Sequence, residues 1–126
     1  MPSQIKSLTQ VDAMQNVLSF GPWSFLENDI YDEMFAAQLQ FPALILAQII
    51  GGVTPAITSL TTIEFLFILA DQIMQIGLHG VNAQTSGFVL QANKAIKIGT
   101  CSINALSIFN TTTLTANVVM VIGGSA

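Results

Sequence analysis

The chain has very few charged residues. Only 8% of its 126 residues are Asp, Glu, Lys or Arg, whereas 52% are hydrophobic; ordinary soluble domains carry about a quarter charged residues. It has no arginine, its formal net charge is −4, and its three lysines are Lys6, Lys94 and Lys97. Because affinity for phosphate backbones comes from clustered Lys and Arg, we expect no nucleic-acid partner.

Cysteine and histidine are equally scarce, with Cys101 and His79 the single examples of each. One cysteine excludes an intrachain disulfide and a cysteine zinc cluster, so we expect Cys101 to be a small buried hydrophobe. His79 is expected to be a polar residue at a strand end beside Gly80. No phosphate-binding glycine loop, metal-ligand cluster or set of nucleophile, base and acid can be assembled. The sequence therefore predicts that the protein is not an enzyme and holds no cofactor or metal.

What the chain does contain is a series of apolar runs between Thr61 and Gly123. Polar breaks separate the runs at roughly ten-residue spacing, which is typical of antiparallel strands in a sandwich or barrel. Within one run Met74, Ile76 and Leu78 alternate with polar or small residues, as a half-buried strand requires. The breaks are interpreted as a loop at 80–87, a two-residue hairpin turn at 93–94 and a polar corner at 110–113.

The first half of the chain is less regular. Residues 34–50 fit either two strands bent at Pro42 or one helix broken there, and their alternation favours strands with Pro42 at an edge or bulge. Residues 1–13 are polar and are interpreted as an N-terminal arm or short helix. We therefore predict an all-β fold: a single antiparallel β-sandwich domain over 14–126, jelly-roll-like or immunoglobulin-like, preceded by the arm at 1–13.

Two of the predicted strands are apolar on both faces, namely those around Phe67 and Val119. A chain of this length has one modest core, so we expect another subunit to cover part of the second face. The large aromatic residues of 20–33 are further anchors for core or subunit contacts. The candidate subunit-contact residues are Trp23, Phe25, Tyr31, Phe65, Phe67, Val119 and Val121.

An acidic stretch at 27–33 holds four of the seven acids, Glu27, Asp29, Asp32 and Glu33. A calcium ion would need several carboxylate oxygens on one loop. The spacing here lacks the glycine and the alternation of known calcium loops. We therefore favour a solvated loop that keeps the surface soluble.

Two other classes of protein stay open as alternatives. The charge-free runs 34–63 and 98–126 are long enough for spanning helices of about 20 residues, which would make a small membrane or lipid-associated filament or virion protein with helical hairpins. Their amides, prolines and glycines suit turns and strands better. The second alternative is a small glycan-binding β domain with Trp23 and Tyr31 as an exposed sugar platform.

The last half of the chain resembles the small all-β structural proteins of tailed bacteriophage virions, including capsid decoration, neck and tail accessory subunits. The matching features are a strand ending at Asp71-Gln72, a short strand closing at Gly80, the pattern around Leu106, Ile108 and Asn110, and a final strand that runs from Thr115 to Gly123-Gly124. The resemblance implies a passive virion subunit, assembled in the host cytoplasm from copies of itself and other virion proteins.

Overall fold

The computed structural model describes residues 3–15, 18–52, 55–99 and 101–126. These residues form ten strands and one helical turn. The elements are β1 (Ser3–Gln15), β2 (Leu18–Tyr31), β3 (Glu33–Phe41), β4 (Leu46–Ile50), β5 (Thr62–Ala70), β6 (Met74–Leu78), α1 (Ala83–Ser86), β7 (Phe88–Leu90), β8 (Lys94–Ile98), β9 (Leu106–Asn110) and β10 (Ala116–Ser125).

Eight of the strands form two four-stranded antiparallel sheets. The front sheet has the order β3-β10-β5-β8, and the rear sheet has the order β4-β9-β6-β7. Period-two alternation places one face of each strand between the sheets, where the side chains of Ile68, Met120, Ile76 and Ile108 are fully buried. The predicted all-β sandwich is confirmed.

The strand order has a simple origin. Four of the strand pairs, β3–β10, β4–β9, β5–β8 and β6–β7, are those of one long antiparallel hairpin whose turn is the β6–β7 connection. When this hairpin curls into two sheets, β10 also pairs with β5 and β9 also pairs with β6. This is the arrangement of a jelly roll, in which two Greek keys build the two sheets.

Residues 34–50 form two strands, as their alternation predicted. In β3, Phe35, Ala37 and Leu39 are half-buried while the residues between them are exposed. Pro42 directly follows β3, an edge strand of the front sheet, so its missing N–H interrupts no ladder.

The predicted corner at 110–113 is organised by a buried amide. Asn110 has no exposed surface, and its Nδ2 donates to the carbonyl oxygens of Phe41 at 3.1 Å and Leu114 at 2.8 Å. Its Oδ1 accepts from the backbone N–H of Thr112 at 3.0 Å. One side chain therefore ties the β3–β4 connection to the β9–β10 connection, and its burial costs little because its polar atoms are bonded.

The predicted hairpin at 93–94 is wrong. Asn93 does lie in a tight turn, with φ of 61°, and the backbone N–H of Lys94 donates to the carbonyl oxygen of Gln91 at 3.2 Å. However, the flanking strands belong to different sheets, since β7 pairs with β6 and β8 pairs with β5. The turn carries the chain from the rear sheet to the front sheet.

The predicted loop at 80–87 contains the single helical turn α1. Asn82 caps this turn, because its Oδ1 accepts from the backbone N–H groups of Gln84 at 2.8 Å and Thr85 at 3.3 Å. α1 packs on the outer face of the rear sheet, where the hydroxyl of Ser107 accepts from the N–H of Ala83 at 3.1 Å.

The N-terminal segment is a long antiparallel hairpin of β1 and β2. It is extended rather than helical, and the boundary predicted between residues 13 and 14 falls inside β1. The acidic stretch is not a loop, because β2 continues to Tyr31 and only Asp32 separates it from β3. The hairpin therefore runs directly into the sandwich.

Candidate subunit-contact surface

The base of the hairpin covers part of the outer face of the front sheet. Ile5 and Tyr31 are 8% exposed and Phe65 is 3% exposed, and the three form a small apolar cluster with Phe67 and Val121 packed against it. The rings of Tyr31 and Phe65 lie 6.3 Å apart between centroids, tilted by 45°. This geometry is favourable for an aromatic pair.

A glycine in β10 makes this close approach possible. A Cβ atom at Gly123 would lie 2.6 Å from Cδ2 of Tyr31 and 2.8 Å from Cδ1 of Ile5. Any larger residue would push the hairpin away from the sheet. The glycine in the apolar run 118–124 is therefore the feature that admits the hairpin.

β1 contacts the front sheet at two described places. Ile5 lies over β10 at Gly123, and Nζ of Lys97, in the edge strand β8, donates to Oγ1 of Thr9 at 2.6 Å.

The candidate contact residues divide into three groups in the structure. Tyr31 and Phe65 are buried inside the chain, so for Phe65 the cover that we expected from another subunit comes from the chain's own hairpin. Phe67, Val119 and Val121 are half-buried. Trp23 and Phe25 lie in β2, but their side chains are outside the described part of the structure. Because Tyr31 is buried against Phe65, it offers no exposed platform for a sugar.

The outward face of the hairpin carries apolar residues that sequence reasoning did not single out. Leu8, Leu26 and Ile30 are 66%, 67% and 68% exposed. Leu8 and Leu26 are direct cross-strand partners, so their side chains form one apolar patch. The alternation of β1 could have indicated this exposure, because Leu8 and Ile5 lie on opposite faces of the strand.

A groove of about 850 Å³ lies at the other half of the front sheet. Its lining includes Leu69, Val119 and a row of polar residues. In that row the backbone N–H and the Nδ2 of Asn117 each donate to the Asp71 carboxylate at 2.8 Å, and Nε2 of Gln40 donates to Oδ1 of Asn117 at 3.3 Å. The side-chain and backbone hydrogen bonds from Asn117 lower the pKa of the Asp71 carboxyl below its ordinary value.

The single cysteine and histidine lie apart from this surface. Cys101 is half-buried, packs against the core and has its Sγ 3.6 Å from the carbonyl oxygen of Ile63. Burial raises the pKa of its thiol, which disfavours the reactive thiolate. His79 is exposed in the turn before Gly80, with φ of 57°. Among the described residues, no group of three or more His, Cys, Asp or Glu is placed to hold a metal ion.

Comparisons with known proteins add no assignment to this geometry. A scan against protein-family models, a search of the curated proteins and a search of the solved structures found no match. Within the described ranges, no helix has the length and apolar character needed to cross a membrane.

Proposed function

We propose that this chain is a structural subunit of a virion, of the capsid decoration, neck or tail accessory kind found in tailed bacteriophages. Its role would be passive and non-catalytic: copies associate with one another and with other virion proteins through apolar strand faces. The resemblance of the last half of the sequence to such proteins motivates the proposal, and the jelly-roll order of the strands fits it, because this fold is common in viral capsid proteins.

The observation that carries the proposal is the pattern of exposed apolar side chains. Besides the hairpin patch, Leu69, Val89 and Phe88 on the two sheets are 36%, 51% and 41% exposed. The chain has few charges with which to keep such surfaces in solution. Burying them against neighbours would contribute roughly 25 cal/mol per Å² of apolar area, and many symmetric contacts would add up to a stable assembly.

Assembly of the purified full chain tests the proposal. We expect its mass, measured by light scattering over a range of concentrations without detergent, to rise to a defined multimer, and electron microscopy to show rings or shells of uniform size. A chain that stays monomeric and folded at high concentration would overturn the proposal.

A further inference from the structure

β3 forms a long outer edge of the front sheet. It pairs with β10 over nine residues, Glu33–Phe41, without an irregularity, and no other strand among the described residues pairs with it. It contains no proline and no lysine, and its single charged residue, Glu33, is its first. Alternate residues of such an edge present their backbone N–H and C=O groups to a further strand. β3 is therefore a template for pairing with another chain.

The other three edges of the sandwich carry features that hinder such pairing. β8 contains two lysines, and its Lys97 contacts the hairpin. β7 has only three residues. β4 is irregular in its pairing with β9, and the backbone N–H of Ala56 donates to the carbonyl oxygen of Gln48 at 2.9 Å. Because proteins block sheet edges with lysines, short strands, bulges and covering segments, this contrast marks β3 as the edge that is left open.

A second copy of β3 fits this edge. Ala37 is the midpoint of the strand, so antiparallel pairing about a two-fold axis at Ala37 overlaps all nine residues. Phe35 of each copy then lies opposite Leu39 of the other, on the face that turns toward the rear sheet. Both side chains pack against the core but are only half-buried within one chain. The pairing would therefore cover apolar surface that the sandwich leaves open.

The same register keeps like charges apart. Glu33 of each copy lies opposite Phe41 of the other, at the two ends of the shared ladder. The two glutamates are then about 27 Å apart along the strands, far beyond the screening length of about 8 Å at physiological ionic strength. A register shifted by one residue would turn the half-buried face of one copy against the exposed face of the other. Length, apolar pattern and charge thus favour one register.

We propose that two copies of this chain join through their β3 edges, antiparallel about Ala37, to form one continuous front sheet with the order β8-β5-β10-β3-β3-β10-β5-β8. Both rear sheets then lie on the same side of the shared sheet. The partner is a second copy because β3 is complementary to itself in length, apolar pattern and charge, as a two-fold interface requires. This interface deepens the proposed assembly role and rests on it.

Charge pairs introduced on the outer face of β3 test the interface and its register. Ala36 of one copy lies opposite Gln38 of the other, and both residues are exposed in the single chain. A36K/Q38K sets two like-charge pairs across the interface and should weaken the dimer about tenfold or more. A36K/Q38E sets two opposite-charge pairs there, so its dissociation constant should stay within about threefold of the original. Sedimentation equilibrium of the full chain gives these constants, and circular dichroism checks that each variant is folded.

A95K/Q91K provides the matched control, because it makes the same two substitutions at exposed residues in β8 and in the turn before it, at the opposite edge of the front sheet. It should leave the dissociation constant unchanged. An original chain that associates, but whose A36K/Q38K variant binds no more weakly than A36K/Q38E or the control, would overturn the β3 interface and leave the assembly role standing. An original chain that is monomeric at all concentrations would overturn both.

Discussion

The sandwich and the N-terminal hairpin are built from the same kind of strand but use their apolar residues differently. In the sandwich, Ile68 and Ile108 face the opposite sheet and have no exposed surface, whereas Leu8 and Leu26 of the hairpin are about two-thirds exposed. The strands of the sandwich turn one face toward the opposite sheet, while the described contacts of the hairpin with the sandwich involve Tyr31 and the part of β1 from Ile5 to Thr9. Apolar alternation thus serves folding in one region and is left available for association in the other.

The described contacts between the two regions include the cluster around Tyr31 and Phe65 and the hydrogen bond from Lys97 to Thr9. Since a two-stranded hairpin gains little stability by itself, these contacts contribute to its order in a monomer. We therefore expect the two regions to respond differently to the same kind of substitution.

The largest difference is expected for two leucine truncations. Leu66→Ala removes a fully buried side chain from β5 and should lower the free energy of unfolding by about 2–5 kcal/mol, because it leaves a cavity. Leu8→Ala, the matched change at an exposed hairpin position, should alter it by about 0.5 kcal/mol or less in the monomer. Urea denaturation of both variants measures the two values. Equal losses would show that Leu8 is part of the folding core and would remove the contrast.

A smaller effect is expected at the junction of the two regions. Gly123→Ala places a methyl group within 2.6 Å of the Tyr31 ring and should cost about 1–3 kcal/mol by overpacking. The strain can be relieved by lifting the hairpin, so backbone amides of β1 and β2 should exchange hydrogen faster while those of the rear sheet stay protected. The double variant Gly123→Ala/Tyr31→Ala would remove both the clash and the contact of Tyr31 with Phe65 that anchors the hairpin. Unchanged exchange in β1 and β2 of the single variant would show that the hairpin is held elsewhere.

The smallest effect concerns the polar row at the end of the front sheet. Because Asn117 lowers the pKa of Asp71 in the folded state, the charged carboxylate stabilises the fold at pH values above its ordinary pKa, and this contribution is lost as the pH falls through the lowered value. Asp71→Asn should remove that part of the pH dependence. Urea midpoints of both proteins, measured between neutral and strongly acidic pH, should converge in acid. A constant difference at all pH values would contradict this assignment.

Much of the sandwich was predictable because its signals are local. A half-buried strand shows its alternation in the sequence, and Met74 to Leu78 and Phe35 to Phe41 both did so. The corner at Asn110 was also visible from its polar composition. The turn at Asn93 was predicted, but its role was not. Local sequence does not indicate whether the strands on either side of a turn pair with each other or belong to different sheets.

The hairpin was the part that sequence reasoning missed. The polar composition of 1–13 favoured an arm or short helix, and the acids near Asp32 favoured a loop. Their strand structure arises from cross-strand pairing with residues up to 28 positions away, as between Ser3 and Tyr31. Such pairing leaves a weaker local signal than burial in a core, since Ile5 is the only buried residue among the side chains of β1 that the structure describes.

The sequence by itself determined the class of fold, since period-two alternation, scarce charge and polar breaks are properties of neighbouring residues. It also indicated that β5 and β10 are apolar on both faces and need cover. Only the tertiary structure decided what provides that cover for Phe65, because the contacts of Tyr31 with Phe65 and Gly123 join positions far apart in the chain. Their stability depends on how all the strands are arranged, and no local pattern encodes that arrangement.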